Sequence, residues 1–344
     1  MKQIVILIAG FSDRSAAKTA ISVIRYRRSE VIAVLDAAHA GQTAETVLGM
    51  GGDLPVVADL SDCPDADTLM LGTAPSGGRL PPEWRFTIST ALRRGLTVVS
   101  GLHDRLSDDA ELATLAIEFG GHIEDVRHSG CTDLATRENL RSDCLRIHAV
   151  GHDCNVGKMV AMLELEAEMK CRGKDAKFVA TGQTGIMITG SGIAVDCVVS
   201  DFVNGAAERL VLDHQEHDIL LIEGQGSLLS PMYSAVTCGL LHGCAPHGLI
   251  LCCQVGRTHF RHTDIPIPSL TVFRDLYEAA TSPLSPCRII GVAVNGRDCT
   301  PEEGAEACRQ IEAELNVPAV DVYRDGASRL ANAVEMLRTE MLPS

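Results

Sequence analysis

The amino-acid sequence predicts an α/β protein of two domains, each built on a parallel sheet. Short apolar runs alternate with helical patterns along the chain, which is typical of parallel strands covered by helices on both faces. A polar segment at residues 131–143 separates one alternating series from a second. The 344 residues are enough for two domains that each bury a core. We therefore predict one domain at residues 1–130, a linker at 131–143 and a second domain at 144–344.

The first alternating series predicts a domain that resembles dinucleotide-binding folds. Strands are expected at residues 4–9, 31–36, 68–71, 97–100 and 123–126, and helices at 15–26, 84–94 and 109–119. Gly10 ends the first strand and Asp36 ends the second, as in those folds. Their glycine fingerprint is absent, because Gly10 is followed by Phe-Ser-Asp-Arg-Ser. We expect a Rossmann-like domain without a bound dinucleotide.

The second series predicts another parallel sheet. Strands are expected at residues 145–150, 177–180, 219–223, 249–253, 289–294 and 317–322. Helices are expected at residues 159–169, 200–212, 235–241, 301–315 and 326–342. Glycine-rich stretches at 181–185 and 190–192 flank a short apolar segment, which we interpret as a hairpin.

Composition argues against several classes of partner. A net charge of −15 disfavours a broad nucleic-acid surface or an anionic membrane surface. No stretch approaches a transmembrane helix, and the apolar N-terminus continues into a charged segment as a first strand would. The 13 cysteines are scattered without a zinc-type spacing and favour buried thiols in a reducing compartment. We expect a cytoplasmic homo-oligomer acting on small molecules.

The segment at 151–159 has the features of a phosphate-binding loop (P-loop), because it joins a predicted strand to a predicted helix. The glycines would let the backbone curl so that its N–H groups face a phosphate, and the helix dipole and Lys158 would attract the phosphate charge. The loop has five residues between its glycines where four are common, and Met159 replaces the usual Ser or Thr. Because a thioether ligates Mg²⁺ poorly, we expect no metal and no ordinary nucleotide hydrolysis. The expected phosphate-binding residues are Gly151, Asp153, Cys154, Asn155, Val156, Gly157, Lys158 and Met159.

Three carboxylates are candidates for catalytic proton transfer. Glu223 follows a predicted strand and precedes a glycine turn, on the edge where open α/β sheets bind ligands. Asp196 lies in an apolar stretch, where burial would raise its pKa towards that of a general base. Asp201 is the third candidate, although it also fits a helix N-terminus capped by Ser200. The sequence leaves the choice among them open.

Substrate contacts are expected from two other segments. Arg257 and Arg261 lie in the most positive stretch of the chain and are candidates to clamp substrate carboxylates. A solvated loop is the alternative for that stretch, and its histidines are alternative bases. Gln183 and Thr184, between the glycines of the predicted hairpin, are further candidates. A loop at 72–81 is a weaker candidate from the first domain.

At these motifs the chain resembles a bacterial family first described only as a domain of unknown function and now associated with D-glutamate N-acetyltransferase. The resemblance rests on residues 151–159, 180–185 and 195–205, is extended by 223–227 and 234–237, and covers nearly the whole chain. His152 stands where Thr is expected, and Val160 where a hydroxyl residue is common. The C-terminal half is also similar to the P-loop enzymes of the dethiobiotin-synthetase group.

The resemblance implies transfer of the acetyl group of acetyl-CoA to the amine of D-glutamate or a similar acidic amino acid, a step of D-amino acid catabolism. Acetyl-CoA would be a co-substrate whose phosphates the P-loop holds without a metal. The amine must lose a proton to attack the thioester, which requires one of the three carboxylates or a histidine. Two alternatives stay open: an ATP-dependent ligase or kinase of the dethiobiotin-synthetase type, and a regulatory nucleotide-binding module.

Overall fold

A computed structural model describes residues 1–13, 16–73, 75 and 78–341. The predicted helix start at Ser15, the predicted helix end at Leu342 and part of the loop at 72–81 lie outside these residues.

The described residues form two compact units. The first comprises Met1–Ser129 together with Gln183–Cys197, and the second comprises Gly130–Gly182 and the chain from Val198 onward. The second unit therefore includes the polar segment that we predicted as a linker. Glu208 anchors this segment, since its buried carboxylate accepts hydrogen bonds from Thr136 N at 3.1 Å and Arg137 N at 2.7 Å. The predicted domains were continuous stretches of chain. Residues 183–197 lie within the predicted second domain but belong to the first unit.

The first unit contains a parallel sheet of six strands in the order β3-β2-β1-β4-β5-β6. Its strands are β1 (Ile4–Leu7), β2 (Val31–Leu35), β3 (Val56–Val57), β4 (Thr68–Leu71), β5 (Thr97–Ser100) and β6 (His122–Asp125). Its helices are α1 (Lys18–Arg27), α2 (Ala44–Leu48), α3 (Arg85–Arg93), α4 (Ala110–Phe119) and α6 (Gln183–Thr189). The sequence missed the short elements β3 and α2. The strand order reverses between β1 and β4, which is where open α/β sheets bind ligands.

The predicted hairpin is wrong, because the segment forms α6 and lies at the carboxyl edge of the first sheet. The Thr184 and Thr19 hydroxyls, both buried, are 2.9 Å apart, and Arg27 Nη1 donates to Met187 O at 2.7 Å. Gly101, just beyond β5, approaches Gln183 so closely that an ideal Cβ there would lie 3.0 Å from Gln183 Cγ. The first sheet therefore has its ligand-binding edge covered by the chain itself.

The second unit contains another parallel sheet of six strands, in the order β12-β11-β10-β7-β9-β8. Its strands are β7 (Leu145–Gly151), β8 (Ala176–Val179), β9 (Ile219–Ile222), β10 (Gly248–Gln254), β11 (Arg288–Asn295) and β12 (Ala319–Asp321). Its helices are α5 (Lys158–Cys171), α7 (Val203–Leu212), α8 (Ser234–Cys244), α9 (Leu270–Thr281), α10 (Pro301–Leu315) and α11 (Ser328–Met341). The sequence missed α9. Every residue of β7 is buried, so this strand forms the centre of the unit.

All thirteen cysteines lie in the described residues and are free thiols. Cys63 is buried in the first unit, and Cys252 and Cys253 are buried in β10. Burial raises the pKa of Cys252 to about 12. Within the described ranges, no helix combines the length and the apolar character needed to cross a membrane.

Candidate active site at the carboxyl edge of the second sheet

The predicted phosphate loop connects β7 to α5, as the sequence indicated. Asn155 and Gly157 both have positive φ, at 55° and 105°, and Lys158 opens the helix directly after Gly157. A positive φ of 105° strains any residue other than glycine, so Gly157 allows the chain to turn into the helix. Gly224 is needed for a different reason, because an ideal Cβ at this position would lie 1.7 Å from Ala149 O. The turn after β9 therefore packs directly against the backbone of β7.

Lys158 is buried within this loop. Its side chain is only 6% exposed, and Nζ donates to Asp153 O at 2.8 Å. Burial lowers the pKa of the Lys158 ammonium, because a desolvated cation is less stable than a hydrated one. A carbonyl dipole compensates this cost less well than an anion would. The geometry therefore favours a bound anion at Lys158.

Met159 occupies the first turn of α5, with its side chain half-buried, and Val160 is buried behind it. Neither side chain offers an oxygen to a cation. Across the described parts of the chain, no group of three or more His, Cys, Asp or Glu residues is placed to hold a metal ion.

Asp153 ties the loop to the segment that follows β10. Its side chain is fully buried, and Oδ2 accepts from Arg257 Nη1 at 3.0 Å and from Arg261 N at 2.8 Å. Arg257 also donates to Cys154 O at 2.7 Å and hydrogen-bonds to Gln254. The Arg257 guanidinium is thus engaged with the P-loop, which does not favour the predicted clamp on substrate carboxylates. Arg261 contacts Asp153 through its backbone N, and its side chain donates to His262 at 3.2 Å.

Two histidines beside the loop are buried in their neutral form. His152 Nε2 accepts from Gln254 N at 3.1 Å, and burial lowers the pKa of His152 to about 3. His148 lies inside β7 with no exposed surface, and burial lowers its pKa to about 3 as well. Neither ring nitrogen of His148 has a hydrogen-bond partner among the described residues. These side chains therefore carry no positive charge at neutral pH.

Glu223 lies at the end of β9, next to the P-loop strand in the same sheet. It is 5% exposed, and Oε2 accepts from Thr181 N at 2.9 Å and Gly182 N at 3.1 Å. Thr181 Oγ1 in turn donates to Glu223 O at 2.9 Å. The carboxylate therefore joins the ends of β8 and β9 at the edge that carries the loop.

Tyr277 is a site residue that sequence reasoning missed. Its hydroxyl donates to Gly151 O at 2.8 Å and accepts from Leu228 N at 3.2 Å, which links the P-loop to the turn after β9. Burial raises the pKa of Tyr277 to about 12. The sequence contains a signal for the helix that carries Tyr277. Apolar residues follow the three- and four-residue spacing of an amphipathic helix at Leu270, Phe273 and Tyr277.

The other predicted site residues belong to other elements of the chain. Asp196 belongs to the first unit and forms an ion pair with Arg127, whose Nε also donates to Gly101 O at 2.7 Å. The Asp196 side chain is 34% exposed, so the expectation of an apolar burial site is wrong. Gln183 and Thr184 are in α6 of the same unit. Asp201 is exposed in a short 3-10 turn before α7, where no side chain caps the turn.

A glycine loop between a central strand and a helix, with a buried lysine at the helix start, defines the second unit as a P-loop α/β domain. The first unit has the strand order of a Rossmann-like domain. Family models agree: residues 133–331 match a domain of unknown function described as the DUF1611_C P-loop domain. Residues 37–129 match the DUF1611_N Rossmann-like domain. The chain belongs to the DUF1611 family.

Three relatives cover most of this chain. A D-glutamate N-acetyltransferase from Pseudoalteromonas sp is 42% identical over 269 residues, which is 77% of this chain and 80% of the relative. A D-glutamate N-acetyltransferase from Tritonibacter scottomollicae is 37% identical over 324 residues, or 94% and 95%. The crystal structure of a DUF1611 family protein from Anabaena variabilis is 34% identical with a TM-score of 0.91, covering 98% and 100%. These relatives confirm the predicted fold class and family, and the names of the first two indicate a transferase of the N-acetyltransferase type.

Proposed function

We propose that this chain transfers the acetyl group of acetyl-CoA to the amine of D-glutamate or a similar acidic amino acid. The names of two relatives supply the reaction and its acceptor. The observation that supports a phosphate-bearing donor is Lys158, a buried ammonium whose hydrogen bond goes to a loop carbonyl. We propose that the P-loop at 151–159 holds the phosphates of CoA.

Electrostatics supports this role for the loop. CoA carries a pyrophosphate and a ribose phosphate, and either group suits backbone N–H donors at the start of α5. A phosphate beside Lys158 would offset the desolvation that lowers the pKa of this ammonium. Acetyl transfer moves no phosphoryl group, so the reaction makes no demand for the hydroxyl that Met159 replaces.

Of the three candidate carboxylates, Glu223 fits the proton transfer best. The amine nitrogen attacks the thioester carbonyl and its proton passes to the carboxylate. The C–S bond then breaks, and the protonated carboxyl group gives that proton to the departing thiolate, so that CoA leaves as the thiol. Glu223 lies on the sheet edge that carries the P-loop, with its position fixed by the N–H groups of Thr181 and Gly182. Asp196 forms an ion pair with Arg127, and Asp201 is exposed to solvent.

For the acceptor carboxylates we favour Arg261 over Arg257, since the Arg257 guanidinium is engaged with Asp153 and Cys154. Gln183 is half-buried and remains a candidate for substrate contact, whereas the Thr184 hydroxyl is engaged with Thr19. Arginine suits a dicarboxylate because its guanidinium can form two parallel hydrogen bonds.

The test is mass spectrometry of the products after incubation with acetyl-CoA and a panel of D- and L-amino acids. We expect N-acetyl-D-glutamate and free CoA thiol in equal amounts, with little product from L-glutamate. EDTA should leave the rate nearly unchanged, and added ATP should not be consumed. A product whose formation requires both Mg²⁺ and ATP, with release of ADP, would overturn the proposal in favour of an ATP-dependent ligase or kinase.

A further inference from the structure

A cation and an aromatic ring lie together beside the P-loop. Arg297 follows β11 and Tyr323 follows β12, at the same edge of the second sheet as the loop. The guanidinium carbon of Arg297 lies 4.6 Å from the centre of the Tyr323 ring, within the range of a cation–π contact. Tyr323 also borders the loop, because an ideal Cβ at Gly157 would lie 3.0 Å from the Tyr323 hydroxyl.

Asn295, the last residue of β11, adds a second and independent observation. It is 2% exposed, and Oδ1 accepts from both Arg297 N and Arg297 Nε at 3.3 Å. The atom that faces Arg297 must be the oxygen, because both Arg297 groups are donors. The amide nitrogen Nδ2 has no hydrogen-bond partner among the described residues. Leaving a buried donor unsatisfied is costly, so this atom requires an acceptor that the described part of the chain does not supply.

We propose that Asn295, Arg297 and Tyr323 form a platform that binds the adenine base of CoA. This inference rests on the proposed function, which places the CoA phosphates in the adjoining loop. An adenine ring is flat and stacks on aromatic or guanidinium planes, and its ring nitrogens accept hydrogen bonds from an amide. Arg297 is exposed and half-buried Tyr323 supports it from one side, so the guanidinium keeps a face for stacking.

The consequence is a preference for donors that carry adenine. We would measure kcat/KM with acetyl-CoA and with S-acetylpantetheine, which has the same thioester without the nucleotide. Arg297→Ala and Tyr323→Leu should each lower kcat/KM for acetyl-CoA about tenfold, as expected for the loss of one stacking contact, with the value for S-acetylpantetheine unchanged. Tyr323→Phe keeps the ring and should stay close to the wild type. Arg309→Ala, at an exposed arginine of α10, is the matched control and should change neither value.

Equal losses with both donors would overturn the inference, and so would no loss with acetyl-CoA. Calorimetric binding of CoA and of 4′-phosphopantetheine gives a second readout that needs no activity, and only CoA should bind more weakly to Arg297→Ala. Weakened ADP binding to Arg297→Ala in a chain that makes no acetylated product would support the adenine platform and reject the proposed function. Normal acetyl transfer with an unchanged donor preference would reject the platform alone.

Discussion

The two sheets share an architecture but differ in how the polar groups at their carboxyl edges are satisfied. Each has six parallel strands, and in each the order reverses beside the first strand of the unit, β1 or β7. At the first edge Asp36 accepts from Ala38 N at 3.2 Å and lies 2.7 Å from His39 Nδ1, while the buried Thr73 hydroxyl has no partner among the described residues. Helix α6 covers the same edge through Thr184.

At the second edge, folding leaves several groups without a suitable partner. Lys158 is buried against a carbonyl, and among the described residues neither Asp153 Oδ1 nor Asn295 Nδ2 has a hydrogen-bond partner. A protein tolerates such costs where a ligand later relieves them. The comparison teaches that strand order marks two possible binding edges, whereas the charged side chains distinguish between them: Asp36 is paired with His39 at the first edge, and Lys158 is buried against a carbonyl at the second.

The largest expected effect concerns acid stability, because the second unit contains His148. Its pKa is about 3 in the folded chain and near 6.5 when unfolded, so below pH 6.5 only the unfolded chain gains this proton. Stability is therefore lost as the pH falls from 6.5 towards 3, by about 1.4 kcal/mol per pH unit. His148→Leu should raise the free energy of unfolding by roughly 3 kcal/mol more at pH 4 than at pH 6.5.

Urea unfolding at the two pH values measures this difference. The single tryptophan, Trp84, is buried in the first unit, so its fluorescence follows that unit while circular dichroism follows both. On acidification, the loss of dichroism should precede the change in Trp84 fluorescence. His122→Gln, at an exposed histidine of the first unit, is the control. If His148→Leu left the pH dependence of the free energy of unfolding unchanged, the burial of His148 would not explain a greater acid sensitivity of the second unit.

The next effect concerns the anion site. Lys158→Ala should weaken acetyl-CoA binding by about 1.5–3 kcal/mol, or ten- to a hundredfold, because a charge-assisted hydrogen bond is lost. Wild-type affinity should also fall as the pH rises through the lowered pKa of Lys158, since only the ammonium attracts phosphate. Calorimetric titration with CoA from pH 7 upward measures both the affinity lost in Lys158→Ala and the pH dependence of the wild-type affinity.

Two variants sharpen this test. Lys170→Ala removes an exposed lysine from the same helix and should bind CoA normally. Asp36→Asn alters the carboxylate paired with His39 at the first edge and should also leave CoA affinity unchanged. A loss with Asp36→Asn as large as that with Lys158→Ala would contradict the assignment of the ligand to the second edge.

The smallest effect separates the two arginines after β10. Arg257→Ala removes a hydrogen bond to Asp153 and one to Cys154 O in the P-loop, so it should raise KM for acetyl-CoA about fivefold or more. Arg261→Ala leaves the backbone contact to Asp153 in place and should raise KM for the amino acid instead. Steady-state kinetics with each substrate varied in turn provides the comparison. If the two variants changed the KM values for both substrates in the same way, the two arginines would share one role.

The fold was largely predictable because its signals are local. Residues 301–315 were predicted as a helix and form α10, where Thr300 and Glu303 complete a capping box and Pro301 opens the first turn. The P-loop was predictable for the same reason, since its glycines and Lys158 act within one segment. Helix α6 was not predictable in this way, because Gly185 and the flanking glycines disfavour a helix. Contacts with residues distant in sequence, such as Thr19, stabilise it instead.

Site contacts were harder to predict because they join distant parts of the chain. The sequence shows that Arg257 is cationic but not that its anion is Asp153, on another strand end. In the same way, the apolar neighbours of Asp196 in sequence concealed the ion pair with Arg127. Asn295 and Tyr323 gave no pattern of their own, since only the parallel sheet brings the ends of β11 and β12 together.

The distribution of free thiols makes unfolding of each unit chemically observable. Alkylating reagents react with thiolates, so the exposed Cys171 and Cys238 should be labelled in the folded chain. Cys63 in the first unit and Cys252 in the second should react only when their own unit opens. Peptide mapping after brief pulses of iodoacetamide would then follow the two units separately in one sample, with no engineered probe. A donor that binds the P-loop should slow the labelling of Cys252 and leave that of Cys63 unchanged.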